Sequence, residues 1–377
     1  MNAEIISIGT ELLLGHIINT NTAFLSRKLS EAGIDVYNTS VVGDNPSRLT
    51  HALRQAFNRS DIVITTGGLG PTVDDITVKT VTDFICKKTV KWIKNAVGSA
   101  PGLIAEYHEK IIVCLPGPPR ELEPMFVKDV ISYLIKRFRL RQLIRSRTIK
   151  IAGLRESVVN NKVKDLLQLK PPTTVGIYAK LGQVELKIMS KAGSRKVADR
   201  QIRILEKKIR ARFGESIFGY DDETLEEAVA GILTGNKKTI AVAESCTGGL
   251  VSSRLTDVGG STKYFTMGIT AYSNEVKKNI LCVDPIKIDK FGAVSRQVAS
   301  EMAYGIKLLA GADLGLGITG IAGPTGGTRS KPVGLVYIAL ATDKKVMVKE
   351  LRLRGSREEI KFQASQAALD LIRRNVW

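Results

Sequence analysis

The chain has 377 residues, 44% hydrophobic and 25% charged, the make-up of a globular protein too long for one ordinary core, so two or three domains are expected. No apolar run approaches the roughly 20 residues of a membrane helix, and the opening MNAEIISIGTELLLGH lacks the basic start and cleavage site of a signal peptide. A net charge of +19 admits nucleic acid or acidic nucleotides as partners, but the basic residues are spread through the chain and only 6% of residues are aromatic.

With no RNP-like, zinc-finger or basic-zipper pattern, a solvated basic face is the simpler reading, and neither nucleic acid nor a membrane is an expected partner. Cys86, Cys114, Cys246 and Cys282 form no CxxC pair, which points to a reduced, cytoplasmic protein without a structural zinc site.

In chain order, a β-branched run over 3–8 predicts a strand, broken by Gly9 and Thr10. Ala23, Leu25 and Leu29 give helical spacing over 21–32. A strand over 35–42, a helix over 47–57 and a buried strand over 61–65 follow, the last running into Gly67-Gly68. A helix over 77–85 and a strand over 110–115 complete an alternation that predicts a parallel sheet covered by helices.

The middle reads as a small α+β unit: strand 148–152, helix 156–167, strands 174–178 and 184–190 with Gly182 at the hairpin turn, helix 196–212. The remainder returns to α/β alternation. Helices are expected over 224–233, 247–255, 295–309 and 357–374, a helical start over 277–281, and strands over 239–243, 264–271, 314–319, 334–341 and 345–353.

Ala243-Glu244-Ser245-Cys246-Thr247-Gly248-Gly249 sits where a strand hands over to a helix. Ser245 is thus expected near a helix N-terminus, where free amides favour a developing oxyanion, with Gly248 and Gly249 admitting close approach. A serine there also serves simply as an N-cap. The histidines, His16, His51 and His108, all fall in the first 110 residues, so a Ser–His–Asp triad within the last domain is excluded. A nucleophile at 245 needs another base, and a desolvated, neutral lysine is the known alternative.

Tyr272-Ser273-Asn274-Glu275-Val276-Lys277 follows a strand and starts a helix, which can bring Tyr272 and Lys277 to the same end of the sheet; a solvated helix lysine has the same pattern. The loop from Gly317 through Thr319, Gly320 and Gly323 to Gly327 lies past a strand's carboxyl end, where open α/β sheets bind ligands and backbone amides can meet phosphate; it also reads as a plain irregular loop. Arg357 heads the last helix, placed either to pair with a phosphate or to stand as a surface arginine.

Near the N-terminus, Thr65-Thr66-Gly67-Gly68-Leu69-Gly70-Pro71-Thr72 closes a strand, and Asp74 and Asp75 follow. Gly-rich turns hold phosphate, and adjacent acids hold a divalent ion that bridges to it. Asp44 and Glu11 end two other strands and complete the pattern, while N-capping of the next helix is the structural alternative for Asp74 and Asp75.

The segments AESCTGG, TAYSNEVK, GITGIAGPTGGT, KPVGLVYIAL and GSREEI, in order over about 135 residues, resemble the C-terminal domain of the CinA family (competence/damage-inducible proteins), also found alone as PncC. The resemblance implies deamidation of nicotinamide mononucleotide (NMN) without a cofactor. Ser245 matches the nucleophile, Lys277 its general base, and Tyr272, Thr319 and Arg357 further members of the catalytic site. Glu244, Thr247, Gly248, Gly249, Gly320 and Gly323 fall in the substrate-binding motifs.

IGTELLLG, VVGDN, TTGGLGPTVDDIT, NAVGSAPG and LPGPPREL resemble the MoaB/MogA-like, molybdopterin-binding fold as it occurs in CinA. That implies a metal-dependent ADP-ribose pyrophosphatase, with Thr66, Gly67, Gly68, Gly70, Asp44, Asp74 and Asp75 binding substrate and Asp44 and Asp75 the divalent metal. CinA-like chains usually carry a longer segment, with a helix, where this one passes from Val90 to Lys91. Gly153-Leu154-Arg155-Glu156-Ser157 resembles the KH-like domain of CinA, without a GxxG loop, and reads as a spacer or dimer element.

The resemblance implies two three-layer α/β/α domains, 1–145 and 220–377, joined by a small α+β KH-like domain, 146–219. It also implies a homodimer acting on pyridine nucleotides and ADP-ribose. The charge and the KH-like middle leave a nucleic-acid-binding competence factor as an alternative, and the N-terminal domain alone a molybdopterin-handling protein.

Overall fold

The computed structural model describes residues 1–70, 75–86, 90–140 and 143–376. The chain separates into two compact units: Met1–Arg145 with Pro171–Thr173 and Met189–Ile202, and Ser146–Lys170 with Thr174–Ile188 and Arg203–Trp377.

The first sheet holds β1 (Asn2–Ile8), β2 (Asp35–Val42), β3 (Ile62–Thr66), β4 (Val90–Ile93), β5 (Gly102–Tyr107) and β6 (Lys110–Leu115), in the order β2-β1-β3-β6-β5-β4. Its first four strands run parallel, but β5 is antiparallel to β6 and β4 to β5. The fully parallel sheet expected from the sequence is therefore corrected to a mixed one. Val90-Lys91-Trp92-Ile93 is too short and too mixed in polarity to announce a strand, and β5 begins on a glycine.

Adjacent strand residues face opposite sides. Ile5, Ile62 and Ile64 pack with Leu25 and Leu29 of the helix Thr20–Glu31. Ile6, Val63 and Ile112 pack with Leu49 and Leu53 of the helix Pro46–Arg59 on the opposite face, which makes three layers. That second helix starts where the sequence signals it, with the Asn45 side chain accepting from Arg48 N and Pro46 in the first turn.

The middle strands β7 (Leu143–Ala152), β8 (Thr173–Lys180), β9 (Gln183–Ala192) and β10 (Ile217–Tyr220) form a sheet in the order β10-β7-β9-β8, accompanied by the helices Glu156–Leu167 and Arg195–Phe213. Gly182, at φ +75°, turns the β8–β9 hairpin as its position in the sequence suggests.

The last sheet is built from β11 (Ile240–Glu244), β12 (Phe265–Thr270), β13 (Leu314–Gly320), β14 (Leu335–Ala341) and β15 (Val346–Arg352), in the order β12-β11-β13-β14-β15. β11, second from the edge, is parallel to β12 and β13, and the other two pairings are antiparallel. Val242, Leu316 and Ile318 meet the helices Leu225–Gly235 and Arg357–Asn375 on one face, and Ala241 and Ala243 meet the helix Arg296–Ala310 on the other. That last helix sits directly on β13, because a Cβ at Gly315 would lie 2.0 Å from Ala303 O and one at Gly317 2.5 Å from Ala299 O. Thr224 and Ser356 open their helices with complete capping boxes. Among the described residues no helix is long and apolar enough to cross a membrane.

Candidate active site

The carboxyl end of β11 delivers Glu244 and Ser245 beside the end of β13, where Glu244 registers with Ile318 and Ser245 N donates to Ile318 O at 3.0 Å. Gly248 and Gly249 then adopt left-handed conformations, φ +65° and +94°, which delay the helix to Leu250–Thr256. The expectation that Ser245 lies at a helix N-terminus with free amides is therefore corrected. The fully buried Glu244 carboxylate accepts from Gly249 N, Val251 N and Ser252 N at 3.0, 3.1 and 2.8 Å, and from Ser252 Oγ at 2.8 Å. A negative side chain of the protein itself thus occupies the positive end of the helix.

Lys277 lies in the short helix Asn274–Asn279, which starts where the Ser273 hydroxyl accepts from Val276 N. Only 1% of Lys277 is exposed, and 8% of Ser245. Lys277 Nζ stands 3.3 Å from Ser245 Oγ, 2.8 Å from Ala271 O, 3.0 Å from Tyr272 O and 3.4 Å from Ser273 O. Among the described residues no carboxylate is bonded to the amine, and burial pushes its pKa below the ordinary lysine value. Nζ donates to these four oxygens, which ties the amine to the turn before its helix and sets it against the Ser245 hydroxyl.

Arg357 and Tyr272 rim the same site. Arg357 Nη1 donates to Gly323 O at 2.7 Å and Nη2 to the Tyr272 hydroxyl at 3.2 Å. Thr319, almost fully buried one residue beyond Ile318, donates its hydroxyl to Ala293 O at 2.8 Å. Thr247 is buried, and its hydroxyl has no hydrogen-bond partner among the described residues. Gly320 is a packing glycine, since a Cβ there would meet the Val336 side chain at 2.7 Å. Cys246 is buried, which pushes its thiol up to about 12 and leaves it un-ionised and a poor nucleophile. Lys361 goes unmarked by any motif, and its i+4 spacing from Arg357 is the one signal that puts it on this face.

In the first unit, Glu11, Asp44, Asp75 and Glu121 line one cavity of about 420 Å³ together with Gly67, Gly68 and Gly70. Asp44 Oδ2 accepts from Thr10 N and Thr10 Oγ1 at 2.9 and 2.8 Å, and the buried Glu121 accepts from Asn95 Nδ2 at 2.7 Å. Gly67 is required, because at φ +103° a Cβ would lie 2.2 Å from Ile8 O. Thr66 Oγ1 is turned to Pro116 O at 3.2 Å. Asp75 does not cap the helix Thr77–Phe84, which starts without a side-chain cap. Asp74 lies outside the described residues. The donors are hard carboxylate oxygens, the chemistry a divalent cation prefers. Among the described residues, however, no three His, Cys, Asp or Glu side chains gather closely enough to hold one unaided.

Three family models match this chain: "Probable molybdopterin binding domain" over residues 4–136, "Damage-inducible protein CinA KH domain" over 146–219 and "CinA C-terminal domain" over 222–376. A putative competence-damage inducible protein of Thermoanaerobacter pseudethanolicus is 47% identical, with 99% of this chain and 98% of the relative covered. A CinA-like protein of Kosmotoga olearia is 45% identical at the same coverage. Both alignments run over 408 positions, 31 more than this chain's 377 residues, so the relatives carry at least that many residues which it lacks. Among solved structures, the competence/damage inducible protein CihA from Agrobacterium tumefaciens matches at 37% identity and a TM-score of 0.38, over 39% of this chain and 90% of that one. With relatives of this identity over nearly its whole length, the chain belongs to the CinA family.

Proposed function

We propose that the C-terminal domain hydrolyses the carboxamide of a nicotinamide nucleotide, converting NMN to nicotinic acid mononucleotide and ammonia. The observation that carries this reading is the 3.3 Å approach of Lys277 Nζ to Ser245 Oγ, with the amine buried and bonded to no carboxylate among the described residues. Ser245 Oγ attacks the amide carbon as its proton passes to the neutral Lys277 amine. The resulting ammonium returns that proton to the departing nitrogen, which leaves as ammonia. An acyl-enzyme on Ser245 remains. Lys277 then takes a proton from water as its oxygen attacks the ester carbon; the C–Oγ bond breaks, the Lys277 ammonium returns the proton to Ser245 Oγ, and the nucleotide leaves as a carboxylate whose acid proton passes to solvent. Tyr272 and Arg357 supply hydrogen-bond donors at the mouth of the site, since the helix amides behind Ser245 are held by Glu244.

A second activity, metal-dependent cleavage of the ADP-ribose diphosphate, is supported by the cavity that joins the Gly67–Gly70 turn to Asp44 and Asp75. A bound divalent ion would there offset phosphate charge and activate water. Asp44 and Asp75 would hold it, with the diphosphate oxygens completing its ligands.

Ammonia release from NMN and AMP release from ADP-ribose by the full chain test both readings. Ser245→Ala and Lys277→Ala should each remove most of the ammonia release and leave AMP release intact. Asp75→Ala should do the reverse. A Ser245→Ala enzyme with normal ammonia release would remove the nucleophile assignment.

A further inference from the structure

We infer that Lys361 anchors the substrate's phosphate, an inference that rests on the amidase reading and adds how the charged end of the substrate is recognised. Lys361 follows Arg357 by four residues on the helix Arg357–Asn375 and so shares its face. A methyl group added at Gly248 would stand 3.6 Å from Lys361 Nζ, so the ammonium hangs over the loop that carries Ser245. Gly248 has no side chain to fill the intervening space.

The two cations of this face are differently employed. Arg357 is an organiser, with both Nη groups turned to Gly323 and Tyr272. Lys361 is half-buried and makes no hydrogen bond or ion pair with any described residue. The nearby acids do not neutralise it. Glu359 accepts from Ser356 N at 2.7 Å within the capping box, Glu358 forms no ion pair, and Glu244 is buried with its four donors.

An uncompensated ammonium beside the nucleophile's loop is an anion site. The anion is not the reacting group, because a carboxamide is neutral. It has to come from elsewhere on the substrate, and a compact three-donor ammonium suits the oxygens of a phosphate monoester. The carboxamide is common to every nicotinamide compound, so the phosphate contact is what separates nucleotide from nucleoside.

The full chain can be tested with NMN against nicotinamide riboside, which lacks the phosphate. Lys361→Gln should raise KM for NMN roughly tenfold with kcat little changed, leave turnover of the riboside unaltered, and thereby erase the preference for NMN. Lys361→Arg should keep the preference. Equal loss on both substrates, or no change on either, would overturn the inference while leaving the amidase standing. If the wild type releases ammonia from neither compound, the amidase reading fails instead. Calorimetric binding of ribose 5-phosphate then decides the inference alone: binding lost in Lys361→Gln upholds it, and equal or absent binding in the wild type refutes it.

Discussion

The Tyr272 hydroxyl and the Arg357 guanidinium meet at 3.2 Å across 85 positions of sequence. The contact joins the segment after β12 to the first turn of the closing helix, and through Gly323 it also holds the Gly-rich loop after β13. Tyr272→Phe removes one of these anchors and should lower kcat about tenfold. Arg357→Lys cannot hold both acceptors in a fork and should lower it about a hundredfold. Ammonia release at saturating nucleotide measures both, and a lysine variant as active as the wild type would show that charge alone suffices.

Burial lowers the Lys277 amine below its ordinary 10.5. The proposed mechanism needs the neutral amine, so kcat should rise with pH and level off once pH passes the lowered pKa, with an inflection below 10.5, and Lys277→Met should be inactive. The same shift affects stability. Between the folded pKa and that of the unfolded chain, the unfolded state binds more protons, so stability rises with pH across that window; below it the penalty is constant. Lys277→Met should therefore raise the Tm at neutral pH, by about 2–4 °C, as activity is lost. A lower Tm in a folded variant would mean that the amine stabilises its surroundings.

Glu244 accepts four hydrogen bonds from the start of the helix behind Ser245. Glu244→Gln keeps the shape but turns an amide N–H₂ toward donors, leaving at least one unsatisfied. Urea unfolding should show a loss of about 1–3 kcal/mol. Ammonia release should fall at unchanged KM, because the loop that aims Ser245 is no longer held. An unchanged urea midpoint would show that the carboxylate contributes nothing to the loop.

The periodicity of the chain carried most of the fold. Most of the long helices and apolar strands fall where their spacing puts them, because each has one face to bury. The helical run from Pro119 to Arg137 was missed, although Leu122, Phe126 and Leu134 bury one face of it; it opens on prolines and holds Pro124 inside. Residues 90–107 pair as an antiparallel edge, with a four-residue strand that has no pattern of its own. In the site, the absence of histidine pointed to a lysine base, and Lys277 and Ser245 do meet. The fate of the helix amides was not legible, because it depends on two left-handed glycines letting Glu244 fold back onto the helix. Lys361 gave only its i+4 spacing from Arg357, since its closeness to Gly248 arises when the closing helix packs beside the loop.

The Ser245 loop turns its hydroxyl toward the amine and its one sulfur into the core. Alkylating reagents and peroxide meet Cys86 and Cys282, which are exposed, long before they reach Cys246. On the proposed amidase reading, turnover owes nothing to a thiolate and should survive iodoacetamide doses that would silence a cysteine hydrolase.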